Sequence, residues 1–273
     1  MSDNPADEDI LAQPVTRQEV MAAFLANDIE DGEILQVGAA MPVGEVAVRL
    51  AHFSHGPNME LIFIGSRMNV AHLHTLPTPE FGWDRRTVRW AESYWDTGHR
   101  FDRVKDWGNR VFFIGGVQVD PHGNTNLIGV GTDHRHLRFR GPGSVGTSTL
   151  STLVGRYYIV LNSHSARTFV PRCDYVSAFG WGEGDPEARR RLGLPGGGPK
   201  YCVTPLCVMD FTEDTKHLRL RSLHPGVSVD EVVANTGFEL VIPPGEIPTT
   251  PIPDPEQLRI LRTRADERGA LRR

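Results

Sequence analysis

Residues 110–120 read RVFFIGGVQVD, the strongest strand candidate in the chain, because Val111, Phe112, Phe113 and Ile114 form an unbroken β-branched and aromatic run. Pro121-His122-Gly123-Asn124 follows as a turn, which sends the chain back along 126–130 as a hairpin-like unit. Moving outward to the N-terminal side, residues 61–64 read as a second buried strand, entered through the turn Gly56-Pro57-Asn58. Before it, Pro42 can open a helix whose apolar side carries Val46, Leu50 and Phe53, and residues 34–40 form a short apolar strand. Thr16-Arg-Gln-Glu19 has the spacing of a capping box, predicting a helix through about Asn27. Residues 1–15 are polar and are expected to be a disordered tail.

Outward on the other side lies a glycine-rich loop, RGPGSVG at 140–146. Further strands are expected at 157–161, 168–170, 175–178, 202–210 and 217–222, with a short helix at 229–235. The proline run 242–255 reads as a stiff extended connector leading to a final helix that begins near Asp254. Residues 67–100 mix aromatic, proline and charged residues without a period, and read as a long excursion over the sheet edge. Strand and helix patterns alternate, so the expected class is α/β: an open, mainly parallel sheet flanked by helices, in a single domain over residues 16–273.

Composition narrows the function. The 273 residues are 39% hydrophobic and 23% charged, enough apolar material for a core. A net charge of −5 and a pI near 6.1 argue against nucleic acid as the main ligand. No window approaches the ~18 consecutive apolar residues of a membrane span, and the acidic start is unlike a signal peptide, so the expected location is cytoplasmic. Cys173, Cys202 and Cys207 are odd in number and at no metal-ligand spacing, which fits buried, reduced thiols. There are 26 arginines against three lysines, a bias that carries no chemistry by itself.

Two glycine clusters could carry chemistry, Gly115-Gly116 with Gln118 at a strand end and Gly141-Pro-Gly143-Ser144-Val145-Gly146 in a loop. Neither is a dinucleotide or P-loop fingerprint. Each can bring backbone N–H groups close to an oxygen, although a tight turn explains either cluster alone. Histidines pair as His52 and His55, His72 and His74, and His134 and His136, but no carboxylate or cysteine completes a metal set. Ser163-His164-Ser165 lacks a nucleophile elbow. Arg259, Arg262, Arg264, Arg268, Arg272 and Arg273 read as a solvated helix face.

The segments FIGGVQVDPHGNTN (113–126), RFRGPGSVG (138–146), CDYVSAFGW (173–181), RRLGLPGG (190–197) and VVANTGFEL (232–240) resemble, in order, the beta-subunit side of the glutaconate CoA-transferase group of class I CoA-transferases. The resemblance runs over roughly residues 17–262. It implies the CoA-transferase type of α/β sheet and a coenzyme A thioester as substrate, with no permanently bound cofactor. It also implies a homologous alpha subunit in a heterotetramer or larger assembly, with the active site between the chains. Neither nucleic acid nor membrane is an expected partner, and no metal is implied. Gly115, Gly116, Gln118, Gly141, Gly143 and Gly146 fall where the family holds acyl-CoA, and the N–H groups of Gly143, Ser144 and Val145 are the oxyanion-hole candidates.

In that family a beta-subunit glutamate attacks the thioester, and it ends the strand that follows an (A/G)-P-(D/N) turn. Here the turn is Gly56-Pro57-Asn58, which places the glutamate position at Ile64. Isoleucine cannot act as the nucleophile, so this chain offers no catalytic residue of that kind. Glu60 could serve only after a register slip, four residues early and far from the strand end. A glycine cradle without the glutamate is similar to a branch of the family that hydrolyses ring-derived acyl-CoA thioesters in steroid breakdown, where the essential carboxylate lies on the alpha subunit. Hydrolysis is therefore the expected activity. True transfer between an acyl-CoA and a carboxylic acid, and a non-catalytic scaffold role, are the alternatives.

Overall fold

The computed structural model describes residues 5–38, 40–63, 66–69, 93–94, 104–144 and 146–273. Two compact units emerge where the sequence reads as one domain: residues 1–104 with 251–273, and residues 105–250.

In the first unit, helix α2 (Arg17–Asp28) begins at the capping box the sequence predicts. The Thr16 hydroxyl accepts from Glu19 N–H at 3.1 Å, and the Glu19 carboxylate accepts from Thr16 N–H at 2.9 Å. Strand β1 (Ile34–Val37) follows, then helix α3 (Pro42–Ser54) with Pro42 in its first turn. Val46 and Leu50 are buried as expected, whereas Phe53 is only half-buried, beneath the Arg264 guanidinium 4.3 Å from its ring centroid. Both His55 N–H and Gly56 N–H close on Ala51 O at 2.9 Å, ending α3. Strand β2 (Glu60–Phe63) lies parallel to β1, and β3 (Ser66–Asn69) and β4 (Ser93–Tyr94) continue antiparallel.

The polar start corrects the expectation of a disordered tail, because Pro5–Leu11 forms helix α1. Arg262 explains it. This side chain, expected on a solvated face, is 1% exposed. It makes a two-pronged contact with Glu19 at 2.8 Å through both Nε and Nη2, and donates to the carbonyls of Ile10, Leu11, Gln13 and Pro14. The end of α1 is thereby held by a guanidinium from the opposite end of the chain.

In the second unit the hydrogen-bonded order is β5 (Arg110–Ile114), β10 (Arg156–Val160), β11 (Pro199–Val203), β12 (Cys207–Phe211) and β13 (Leu218–Leu223). The β5–β10 and β10–β11 pairs are parallel, and the last two pairs are antiparallel. The sheet is thus mixed, with a parallel centre. Every residue of β5 is buried, as covered parallel strands require, and Phe113 meets Tyr158 of β10 at 5.0 Å between ring centroids.

Several strand expectations change. Residues 110–120 break at Gly115-Gly116, so Gln118–Val119 becomes a separate strand β6, paired antiparallel with β7 (Thr125–Asn126). Gly129–Val130 and Phe139–Arg140 form a second hairpin, β8–β9. The expected strand 202–210 is two strands reversed at Thr204–Leu206, where Pro205 interrupts the ladder. Residues 168–170 and 175–178 contribute isolated bridges at Phe169 and Ala178 instead of strands. Helix α4 (Thr147–Leu153) follows the glycine loop, and the short helices α5 (Ala188–Arg191) and α6 (Val229–Ala234) come later in this unit. Helix α7 (Pro255–Ile260), capped by Asp254, belongs to the first unit.

Candidate functional site

Strand β5 ends at Ile114, so Gly115 and Gly116 stand at the carboxyl end of a parallel strand, where α/β sheets take ligands. A Cβ on Gly116 would come within 2.5 Å of Thr125 Cγ2, whereas Gly115 has nothing nearer than Val160 O at 3.9 Å. Packing requires a glycine at 116, and Gly115 leaves open backbone.

One segment, 125–128, gathers both glycine clusters. Buried Gln118 accepts from Asn126 Nδ2 at 2.6 Å and from Asp174 N–H at 3.0 Å through its Oε1. Asn126 Oδ1 in turn accepts the N–H groups of Ile128 and Gly129. On the other side of the segment, Ile128 O receives Gly141 N–H and Leu127 O receives Gly143 N–H, both at 2.9 Å. Gly146, at φ +84°, starts α4, and Ser144 O accepts from Thr147 N–H and Thr147 Oγ1. Thus Gln118, Gly141 and Gly143 belong to one hydrogen-bonded cradle, and Gly146 opens the helix that follows it.

The cradle sorts the oxyanion candidates. Gly143 N–H is already committed to Leu127 O, whereas Ser144 N–H has no acceptor among the described residues. Val145 lies outside the described residues. So does Ile64, although β2 ends at Phe63, the residue before it. Glu60 opens β2 instead of ending it, paired with Ile34 on one side and Asn69 on the other.

Arg189 supports the cradle from behind. This side chain is 3% exposed and donates to five carbonyls: Gly196, Phe179, Gly180, Ser151 and Thr152. Two of these are in α4, the helix that carries the glycine loop. Sequence reasoning missed Arg189; its only signal was its place one residue before the RRLGLPGG segment.

Beside the cradle, Asp120 folds the turn 120–124 by accepting His122 N–H and Asn124 N–H on Oδ1 and Asn124 Nδ2 on Oδ2. Burial raises its carboxyl above the ordinary range despite those donors. A cavity of about 370 Å³ opens here, lined by Asp120, His122, Arg172, Cys173, Phe179 and Glu183 among others.

Most of the remaining described candidates have structural partners. His52 Nδ1–H donates to Gly56 O, His55 meets Ile29 O, and His136 meets Asp133. His134 is exposed, and His72 and His74 lie outside the described residues. His164 does not pair with a neighbouring serine; its two ring nitrogens face Thr204 Oγ1 at 2.9 Å and Thr236 Oγ1 at 3.0 Å. The three cysteines are free and buried, and burial pushes Cys207 up to about 12, so the thiols are not nucleophiles at neutral pH. No helix among the described residues is long and apolar enough to cross a membrane.

Residues 93–235, more than half of the chain, match the coenzyme A transferase family. The chain belongs to that family. The beta (B) subunit of glutaconate CoA-transferase from Acidaminococcus fermentans is 30% identical over 257 residues, 92% of each chain. The crystal structure of that enzyme superposes with a TM-score of 0.79 at 28% identity, covering 94% of this chain and 96% of the other. The cholesterol ring-cleaving hydrolase IpdB subunit of Mycobacterium tuberculosis is 29% identical, over 93% of this chain and 96% of its own length. The structure of IpdAB from Rhodococcus jostii RHA1 matches with a TM-score of 0.76 at 26% identity, covering 94% and 97%. The parallel-centred sheet expected from the sequence is the fold of these relatives.

Proposed function

We propose that this chain is the beta subunit of a two-chain cytoplasmic enzyme that hydrolyses an acyl-CoA thioester or opens a ring in such a compound. The observation that carries the reading is Ile64. Strand β2, entered through Gly56-Pro57-Asn58, runs to Phe63, and the next residue is an isoleucine where a transferase of this family needs its glutamate. Without a carboxylate to form an anhydride and then a glutamyl thioester, ping-pong transfer has no covalent carrier here. Water activated by a base on the partner chain needs none.

In this reading water adds to a carbonyl of the acyl-CoA compound, its proton passes to the partner's base, and negative charge grows on the carbonyl oxygen. Collapse of that oxyanion breaks the C–S bond, or the ring C–C bond, and the leaving thiolate or carbanion takes the proton back from the base. Ser144 N–H is the donor free to meet that oxygen, and Gly143 N–H anchors the loop that presents it. The names of the relatives support the choice of substrate, since one is a glutaconate CoA-transferase and the other a cholesterol ring-cleaving hydrolase.

Co-expression with the alpha subunit, followed by incubation with β-keto acyl-CoA compounds, should release a hydrolysed product without an acceptor acid. Turnover that strictly needs an acceptor carboxylate, or a glutamyl thioester trapped by borohydride or hydroxylamine on either chain, would establish transfer instead. Gly143→Val tests the cradle: an added Cβ meets nothing within 4 Å, so the strain comes from φ +91° alone. We expect kcat to fall by ~10²- to 10³-fold, the usual cost of disturbing one oxyanion donor. A kcat within about threefold of the parent, in a complex of unchanged Tm, removes this loop from the oxyanion hole.

A further inference from the structure

The segment HRHLRFR, residues 134–140, holds three arginines and no carboxylate in a chain of net charge −5. It forms the returning arm of the β8–β9 hairpin, with Gly129 opposite Arg140, Val130 opposite Phe139, and Arg138 N–H donating to Val130 O at 2.9 Å. Side chains alternate along a strand, so Phe139 and Arg140 of β9 project from opposite faces, and Arg138 stands in the bend directly before the strand. Arg135, Arg138 and Arg140 all stand at the surface, and none has a carboxylate partner among the described residues.

The carboxylates that touch this hairpin are already engaged. Asp133 accepts Arg135 N–H at 2.9 Å and faces His136 Nδ1 at 2.8 Å, and Asp174 Oδ2 accepts Gly131 N–H at 2.7 Å. Like charges on neighbouring strand positions are unfavourable. No carboxylate among the described residues pairs with this cluster of three cations, so an anion from outside can meet their charge.

We propose that the β8–β9 hairpin binds the phosphates at the 3′-phospho-ADP end of coenzyme A. This deepens the acyl-CoA reading and rests on it. Arg140 directly precedes Gly141 of the glycine loop, and the six peptide steps from Arg138 to Ser144 span at most ~20 Å. An extended pantetheine arm, which separates a thioester from its nucleotide phosphates, has a length of the same order. A thioester at Ser144 N–H can therefore place its phosphates at the hairpin. The guanidinium suits that task, since its planar fork gives two parallel hydrogen bonds to a phosphate and it stays charged at any working pH.

The test uses the assembled complex and a triple variant, Arg135→Gln/Arg138→Gln/Arg140→Gln, whose changes are all at surface positions. Calorimetry with 3′-phosphoadenosine 5′-diphosphate needs no turnover. We expect the parent to bind it more weakly as salt rises, and the variant to bind it at least about tenfold more weakly than the parent. In turnover, KM for the acyl-CoA should rise at least about tenfold with kcat little changed, while the same acyl thioester of pantetheine should react equally with both proteins. The proposal is overturned if the parent does not bind the nucleotide, if the variant binds it as well as the parent, or if KM rises equally for the pantetheine thioester. It is also overturned if the variant chain no longer assembles, because the hairpin then serves an acidic face of the partner. A complex that hydrolyses no acyl-CoA yet binds the nucleotide through these arginines refutes the proposed reaction and leaves the hairpin assignment standing.

Discussion

Arg262 in the first unit and Arg189 in the second are both buried, at 1% and 3% exposure, yet their charges are met differently. Arg262 faces a carboxylate, Glu19, that is itself fully buried, together with four backbone carbonyls. Among the described residues Arg189 faces five carbonyls and no carboxylate, and burial lowers its pKa from the ordinary arginine value. A buried cation can thus be held by an opposite charge or by converging dipoles, and the two arrangements fail differently. Removing a carboxylate orphans a charge, whereas removing the dipole-held cation leaves only neutral groups unsatisfied.

The largest effect should come from Glu19→Ala. It leaves Arg262 without its counter-charge and also deletes the reciprocal half of the Thr16 capping box, so we expect a loss of about 3 to 5 kcal/mol in urea unfolding. Adding Arg262→Met should recover part of that loss, because the fully buried guanidinium is then gone and only Arg272, 3.7 Å from Glu19 and 11% exposed, still lacks its counter-charge. A double variant less stable than Glu19→Ala would break the comparison, since the carbonyl contacts would then outweigh the ion pair.

Arg189→Met should cost less, about 1 to 3 kcal/mol, because only neutral carbonyls lose a partner. Arg189→Lys should restore little. A single ammonium with three donors cannot reach the carbonyls of Gly196, Phe179 and Ser151, which approach the guanidinium from separate nitrogens. Full stability in the lysine variant would mean that charge, and not the shape of the fork, holds these loops.

What was legible in the sequence follows the same division between local and distant causes. The capping box at Thr16 and Glu19, the Pro42 start of α3 and the Asp254 cap of α7 are local, and the structure has all three. The hairpin at 204–206 was also local, but Val203 and Cys207 to Met209 masked the meaning of Pro205 as a break. The burial of Arg262 could not be read, because its partner Glu19 is 243 residues away and a charged side chain shows its environment only in three dimensions. The cradle was legible as two glycine clusters. Its internal division of labour was not, because that depends on which N–H Leu127 O captures.

The smallest effect concerns a third basic group, His164, and extends the comparison to a site with neither carboxylate nor converging carbonyls among the described residues. Its ring lies between the hydroxyls of Thr204 and Thr236, stacks near Phe169 at 4.3 Å and approaches Cys207 Sγ at 3.9 Å. Burial lowers its pKa from 6.5 to about 4, since nothing around it offsets a positive charge. Between these values the unfolded chain binds the proton and the folded chain does not, so the stability from a neutral His164 is present above about pH 6.5 and is lost as the pH falls towards 4. This should remove about 1 to 2 kcal/mol between pH 7 and pH 5. Other groups titrate over the same range, among them Glu45, which burial raises to about 7. The measurement is therefore the difference between parent and His164→Gln urea midpoints across that window. A glutamine can still meet both hydroxyls but takes up no proton, so its curve should be flatter on the acid side. Parallel curves would mean that the His164 pocket accommodates a cation without a carboxylate or five carbonyls, and the rule drawn from Arg189 would not extend beyond it.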